Sequence, residues 1–590
     1  MLDRPELLGT RGAVSSTHWL GSAAGTAMFD LGGNAFDAAV ATAFVIQVVE
    51  PHLNGPGGDV PILVHDGATG EVEVICGQGP MPEAATPQAF RDRGVDAIPG
   101  SGLLPAVVPG AFGAWLRLLR DRGRLDLGTV LAPAIAYAED GYPLLPKAAD
   151  MIDVLAPLFR EEWTGSGEVY LPGGRSPKPG ARICNQPLAA TYRRIVAEAD
   201  AAKGGRENRI DAAITVFYEG FVAETIADFL ATAEPLDSTG RRNSGLLTGD
   251  DLAAWRPTIE QTVSADYRGH TVHKAGPWSQ GPVFLQQLGL LEGFDLAAMD
   301  HGGADHLHTV VESAKLAFAD REAFYGDPAH TDVPLKELLD PAYAAARREL
   351  IGRKACGDLR PGMDGWFPEP PLPGEPDTDW RAQLVDGIPA VVKLTAAKGD
   401  TCCISASDRD GNMVVATPSG GWLKSSPVIP GLGFPLGTRG QMALLDEGHP
   451  NTVAPGKRPR TTLSPTLVTK DGRPHLAFGT PGGDQQDQWT LNFFVSHVDG
   501  GLRPQAAVEQ RAFHTDQVPS SFAPRSARPN RLVVENSCPP EVVAELRARG
   551  HDVALAPDKS LGKVCATGFD GDLVLAAASP RGQQAYAVAR

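Results

Sequence analysis

Small apolar residues dominate the stretch after Gly32-Gly33-Asn34-Ala35-Phe36-Asp37, which runs Ala-Ala-Val-Ala-Thr-Ala-Phe-Val-Ile. Asn34 suits a helix cap, because its side chain accepts from the first unpaired N–H groups. The pattern predicts a buried helix within 17–50, packed closely against a sheet. A Gly- and Pro-rich loop from Glu50 to Asp59 leads into an apolar strand, Val-Pro-Ile-Leu-Val-His. Helical periodicity returns over 104–160 and over 186–232, interrupted by an insertion-like polar stretch at 201–210. A strand precedes Tyr267-Arg268-Gly269-His270. A turn at Gly276–Gly281 opens a helix through Leu285–Leu291, and a further helix runs from His306 to Phe324.

Periodicity fades over 353–400, which is rich in Pro, Gly and Asp and reads as a surface loop or flexible connector. After residue 401 the chain is strand-rich. Ile-Ser-Ala-Ser and Met-Val-Val-Ala-Thr flank Asp408-Arg409-Asp410-Gly411-Asn412, two short strands around a tight turn. Pro481-Gly482-Gly483 opens a helix, with Asp484 expected as its cap. The last segment alternates strand Arg531–Glu535, a helix around Val542–Arg549 and strand Val574–Ala578. There is no internal repeat.

Composition narrows the function classes. The 590 residues are 42% hydrophobic and 21% charged, which is globular, and length alone suggests about four domains. A net charge of −18, from 53 basic and 71 acidic residues, disfavours nucleic-acid binding. No run approaches the roughly 18 apolar residues of a membrane span, and the first residues lack a secretory pattern. Seven cysteines without Cys-x-x-Cys spacing argue against a disulfide scaffold or a zinc site. His306 and His308 do not share a helix face, so they are not read as a metal pair. The glycines at 55–58 lack the Gly-Lys-Ser/Thr of a phosphate loop. A cytoplasmic enzyme with reduced thiols and no metal or cofactor is expected.

The candidate chemistry centres on Thr401, in Gly399-Asp400-Thr401-Cys402-Cys403. An internal Thr hydroxyl is a poor nucleophile. Cutting the Asp400–Thr401 bond would leave Thr401 with a free α-amine of pKa roughly 8, able to take the proton of its own hydroxyl. A flexible connector ahead of the bond would let it strain, and let the new ends part. Exposed N–H groups at Gly482 and Gly483 would suit a developing oxyanion.

Together these features resemble the γ-glutamyltransferase (glutathione hydrolase) family of N-terminal-nucleophile hydrolases. The likeness runs through 32–41, Glu50-Pro51-His52, Phe217-Tyr218-Glu219-Gly220 and Tyr267-Arg268-Gly269. It continues through Ala319-Asp320-Arg321, Gly326-Asp327-Pro328, Thr401, Asp410-Gly411-Asn412, Arg458-Pro459 with Ser464-Pro465, and Pro481-Gly482-Gly483. The resemblance implies an α+β fold, a four-layer αββα sandwich. It also implies self-cleavage into a 1–400 and a 401–590 fragment that together form one domain. Thr401 falls on the family's nucleophile, Gly482 and Gly483 on its oxyanion pair, and Ser419 on a second Thr that hydrogen-bonds the nucleophile. Thr461 and Thr462 fall on the Ser-Ser pair that contacts the glutamyl group.

The departures concern the glutamyl site. The Arg that clamps the α-carboxylate aligns with Gln78, and an Asn at the α-amino end becomes Gly421. A Gln and an Asp become Arg439 and Met442. Losing a bidentate Arg costs planar carboxylate recognition. The expected function is a self-processing hydrolase of a small acyl amide for which glutathione is a poor substrate. Its acyl group would carry a carboxylate or oxo-acid, anchored by Arg439 with Lys424 or Arg460. The alternatives are a genuine γ-glutamyl transferase or glutathione hydrolase with a rebuilt pocket, a carbon–carbon bond hydrolase of a natural-product pathway, and an uncleaved inactive scaffold. The expected partners are the small acyl substrate and the two fragments as a heterodimer, with a dimer of heterodimers left open. No nucleic acid or membrane is expected.

Overall fold

The helix Ala35–Val49 shows how local sequence positions the centre of the fold. Asn34 Oδ1 accepts from the N–H groups of Phe36 and Asp37 at 3.0 and 3.1 Å, and Asp37 accepts from Asn34 N–H at 2.8 Å. This reciprocal cap fixes the helix start. All fifteen residues are buried, and the helix packs on the strands Ile404–Asp408 and Met413–Ala416. Asp408 Oδ2 also accepts from Ala35 N–H at 2.8 Å, so the turn after the Thr401 segment is tied to the helix tip.

The computed structural model describes residues 2–363, 401–522 and 525–590. Asp400, the expected cleavage partner of Thr401, lies with the rest of 364–400 outside the described residues. Residues 353–363 belong to the predicted connector but are tied to the body. Ala355 N–H donates to Arg549 at 2.8 Å, and Gly362 N–H donates to Asp320 at 2.8 Å.

Two seven-stranded sheets stack face to face. One runs Tyr586–Ala589, Gly12–Ser16, Ile404–Asp408, Met413–Ala416, Val60–His65, Val72–Gly77, Thr258–Gln261. The other runs Leu7–Gly9, Leu573–Ala578, Cys565–Asp570, Arg473–Gly479, Thr466–Lys470, His270–Lys274, Val263–Tyr267. Leu63, Val415, Ala275, Leu467 and Ala477 fill the space between them. Helices including Trp19–Asp30, Ala35–Val49 and Ala111–Arg122 cover the first sheet; Pro282–Leu291 and Gln486–Val498 cover the second. This is the expected αββα sandwich. The four domains suggested by length do not appear, because strands distant in sequence share each sheet.

Residues on the two sides of 400 are interleaved. Ile404–Asp408 pairs with Gly12–Ser16 on one edge and Met413–Ala416 on the other; His270–Lys274 pairs with Thr466–Lys470. The expected 267–270 turn is a two-residue hairpin with positive φ at Arg268 (49°) and Gly269 (77°). The 201–210 insertion is narrower than expected: the helices Gln186–Ala201 and Arg206–Tyr218 leave four residues between them. No helix among the described residues is long and apolar enough to cross a membrane.

Candidate active site

Thr401 precedes its strand rather than starting it. It forms an isolated antiparallel pair with Ser419 and is 3% exposed. The bonds around it fix its backbone: Cys402 N–H donates to Pro418 at 2.9 Å, and Thr17 N–H to Cys403 at 3.2 Å. Cys402 Sγ lies 3.2 Å from Glu50 Oε2 and 3.1 Å from Asn54 Nδ2, which places Glu50 of the Glu50-Pro51-His52 motif against the residue that follows Thr401. Burial pushes the Cys403 thiol well up, with Cys565 adding to the shift.

Ser419 is held from the other side. It exchanges both backbone hydrogen bonds with Asp59, at 2.8 and 3.0 Å. This needs the Gly-rich loop to run against it: a methyl on Gly58 would lie 2.2 Å from Ser419 O and 2.5 Å from Gly420 O. The glycines once weighed as a phosphate loop therefore serve backbone approach. Gly421 belongs to the same stack, with Gly55 close to its carbonyl.

The second wall comes from the other sheet. Strand Arg473–Gly479 ends where Gly479 faces Cys403 Sγ, and Pro481-Gly482-Gly483 continues from it. Gln486, in the first turn of the helix Gln486–Val498, reaches Thr401 Oγ1 with Nε2 at 3.5 Å, while its Oε1 accepts from Ser464 N–H at 3.1 Å. Gln486 was missed by the sequence reading; its place one helical turn beyond the glycine pair was the available signal. Among the described residues, the N–H groups of Gly482 and Gly483 have no acceptor. Gly482 has φ +125°, a conformation that L side chains rarely adopt.

Asp484 does not cap this helix. Gln485 holds the cap position without a side-chain bond, and Asp484 accepts from Arg321 Nη1 at 2.6 Å and from Ser521 N–H and Oγ at 2.9 and 2.6 Å. Its neighbour Asp487 forms a fully buried pair with Lys274 at 2.8 Å and accepts from Ser464 Oγ at 2.7 Å. Burial pushes the Asp487 carboxyl up and the Lys274 ammonium down, each partly offset by the other.

The expected anchors have other partners. Arg439 donates Nε and Nη2 to Asp59 at 2.9 and 3.0 Å, both side chains buried. Arg460 donates to Glu322 at 2.7 Å and to Arg321 O at 2.8 Å. Neither is available as a carboxylate anchor without breaking a buried ion pair. Lys424 stands 5.9 Å from the Trp422 ring centre. Thr461 is fixed by its N–H to Trp278 O at 2.9 Å, and both Thr461 and Thr462 are buried. Gln78 is 1% exposed, and neither Oε1 nor Nε2 has a partner among the described residues.

A polar cluster away from this site involves His308 but not His306. His308, Glu312 and His551 bring ligand-type atoms within 4.8 Å of one another. Lys315 Nζ bonds Glu312 at 2.6 Å, so an ammonium already supplies the positive charge there.

The family model for Gamma-glutamyltranspeptidase matches residues 21–589. The chain is 34% identical over 513 residues to the glutathione hydrolase-like YwrD proenzyme of Bacillus subtilis (strain 168), covering 85% of each. It is similar throughout to the solved structure of LmbA2991HD, with 48% identity, a TM-score of 0.92 and 100% of both chains covered. The cephalosporin acylase from Bacillus halodurans matches at 30% identity and a TM-score of 0.82, over 100% of this chain and 97% of that one.

Proposed function

Because this chain belongs to the gamma-glutamyltranspeptidase family, we propose that it is a self-processing hydrolase of small acyl amides whose nucleophile is Thr401. The backbone opens ahead of residue 401. The new α-amine, with a pKa of roughly 8, takes the hydroxyl proton as Oγ1 attacks the carbonyl. The carbonyl oxygen becomes an oxyanion facing the N–H groups of Gly482 and Gly483, and the amine leaves with the proton. Water then attacks the Thr401 ester and releases the acid.

One observation carries this reading. Thr401 is fixed between the Ser419 pair and Gln486, and Gln486 begins the helix that follows Gly482 and Gly483, whose N–H groups have no acceptor among the described residues. The proenzyme name of the Bacillus relative and the acylase name of the Bacillus structure support processing and acyl chemistry. The two fragments would stay together as a heterodimer, because separating them means breaking both sheets.

Glutathione is a poor substrate on this reading. Gln78 cannot clamp a carboxylate bidentately, and the guanidinium of Arg439 is taken by Asp59.

A denaturing gel tests the proposal. The parent should give bands of roughly 42 and 20 kDa, the shares of the chain's 62.2 kDa that fall to residues 1–400 and 401–590, and the smaller should begin Thr-Cys-Cys-Ile. Thr401→Ala should stay intact and turn over nothing. A Thr401→Ala variant that is cleaved and active like the parent refutes it.

A further inference from the structure

Trp422, Met442 and Phe522 form a separate buried apolar cluster, exposed by 2%, 1% and 4%. It lies between the two walls of the Thr401 site. On one side, a methyl placed on Gly483 would be 2.9 Å from Phe522 Cε2, so this ring stands against the proposed oxyanion donor. On the other, Arg439 stacks 5.8 Å from the Trp422 ring centre, and its Nη1 lies 3.5 Å from Met442 Sδ. Arg439 leads through Asp59 to Ser419, and Ser419 pairs with Thr401. These contacts join the apolar cluster to residues on both sides of Thr401.

We infer that Trp422, Met442 and Phe522 are specificity-determining residues that select an uncharged, flat or aromatic acyl group carrying a hydrogen-bond acceptor. Three observations bear on this. Two cations lie beside the Trp422 ring: Arg439, 5.8 Å from its centre, has its charge balanced by Asp59, and Lys424 lies at 5.9 Å. Met442 offers no anion to a substrate ammonium. Trp422 Nε1–H is buried without an acceptor among the described residues. A buried indole N–H normally finds a partner, because leaving it unpaired forfeits its hydration with nothing in return. An acyl oxygen or ring nitrogen would supply that partner. A γ-glutamyl group would instead bring an ammonium and a carboxylate against two aromatic rings and a thioether, with their hydration lost.

The inference takes from the Thr401 reading only which bond is cut, so binding can test it separately. 3-Pyridylacetamide, L-glutamine and oxamate are simple amides of a neutral aryl group with a ring-nitrogen acceptor, a zwitterionic and an anionic acyl group. Calorimetric titration of the purified parent should show 3-pyridylacetamide binding at least tenfold more tightly than either of the others. Trp422→Phe keeps a ring but removes the donor and should weaken 3-pyridylacetamide about tenfold, the equivalent of one ordinary hydrogen bond. Met442→Asp should shift the preference towards L-glutamine; circular dichroism confirms that the variant is folded. Tighter binding of L-glutamine or oxamate by the parent, or unchanged binding by Trp422→Phe, overturns the inference. A parent that binds 3-pyridylacetamide as expected but hydrolyses no amide supports the pocket and refutes the Thr401 mechanism.

Discussion

Arg439 and Asp59 form two parallel hydrogen bonds, Nε to Oδ2 at 2.9 Å and Nη2 to Oδ1 at 3.0 Å, with both side chains almost fully buried. Asp59 is also the residue whose backbone is paired with Ser419. The guanidinium therefore acts on the site at one remove: it fixes Asp59, which fixes Ser419, which lies opposite Thr401. Burial pushes the Asp59 carboxyl up even with the arginine beside it, a sign of how costly an unpaired charge would be here.

Breaking that pair from one side should be worse than removing it whole. Arg439→Met leaves a buried carboxylate, and Asp59→Asn leaves a buried guanidinium. Each should cost about 3–5 kcal/mol of stability, and the double variant should recover much of the loss. Urea unfolding of the four proteins gives the coupling directly. A coupling below about 0.5 kcal/mol, within ordinary additivity error, would mean that Arg439 is not a structural partner of Asp59.

Gly482 and Gly483, the proposed oxyanion donors, should differ in their tolerance of a side chain. At Gly482 a methyl would lie 2.5 Å from Trp489 Cζ3 on a backbone with φ +125°. At Gly483 it would meet only Phe522, at 2.9 Å, with φ outside the left-handed region. Gly482→Ala keeps the backbone N–H but cannot hold φ +125° beside Trp489 without moving it; on the proposed mechanism the misaimed donor should lower kcat/KM by up to about 10²–10³-fold, the cost of losing one oxyanion donor outright, with about 1–3 kcal/mol of backbone strain. Gly483→Ala should retain more stability, because the Phe522 ring can turn aside. Steady-state kinetics and thermal melts check the order; equal stability losses would count against it.

Much of this was legible in the sequence because the local signals are strong. The Asn34 cap and the Asp408–Asn412 turn each follow from residue types whose backbone or side-chain preferences decide a few positions. The motif residues 320, 321, 327, 458 and 460 were legible as a resemblance but not as to purpose. The structure makes them braces: Asp327 and Glu260 hold Arg458, and Glu322 holds Arg321 and Arg460. Apart from the adjacent Arg321–Glu322 pair, these partners lie more than a hundred residues apart, and no local rule links them. The partner of Arg439 was hidden for the same reason, since Asp59 is 380 residues away. Asp484 was misread as a cap because position favours that role, and a distant arginine competes better for the carboxylate than an N–H does.

The cap at Asn34 is a second, independent check on the scaffold. Its side chain accepts two N–H bonds at the helix start and donates Nδ2 to Arg122 O at 2.8 Å. Asn34→Ala should cost about 1 kcal/mol, with cleavage at 401 unaffected at room temperature. Asn34→Asp should recover part of the loss, because the acceptor returns while the Arg122 bond does not. Denaturant midpoints of the three proteins decide it; an alanine variant as stable as the parent would remove the cap from the argument.

The strongest pH dependence should come from Glu322. Its carboxylate is fully buried among three guanidiniums: Arg321 Nη2 and Arg460 Nη2 reach Oε1 at 2.7 Å each, and Arg525 Nη2 reaches Oε2 at 2.6 Å. Burial alone would push its pKa up, but Arg460, Arg321 and Arg525 overcome this and hold it well below the ordinary carboxylate range. A carboxylate depressed in the folded state contributes stability above its unfolded pKa and loses it as pH falls towards the folded value. At pH 7, Glu322→Gln should therefore be less stable than the parent by about 3–5 kcal/mol, since it strands buried guanidinium charge. Below about pH 4 the parent loses this contribution at about 1.4 kcal/mol per pH unit, while the Gln variant has none to lose. The stability gap should narrow accordingly between pH 4 and 3 in urea unfolding. A gap that stays constant over that range would mean the three arginines do not hold Glu322 in its charged form.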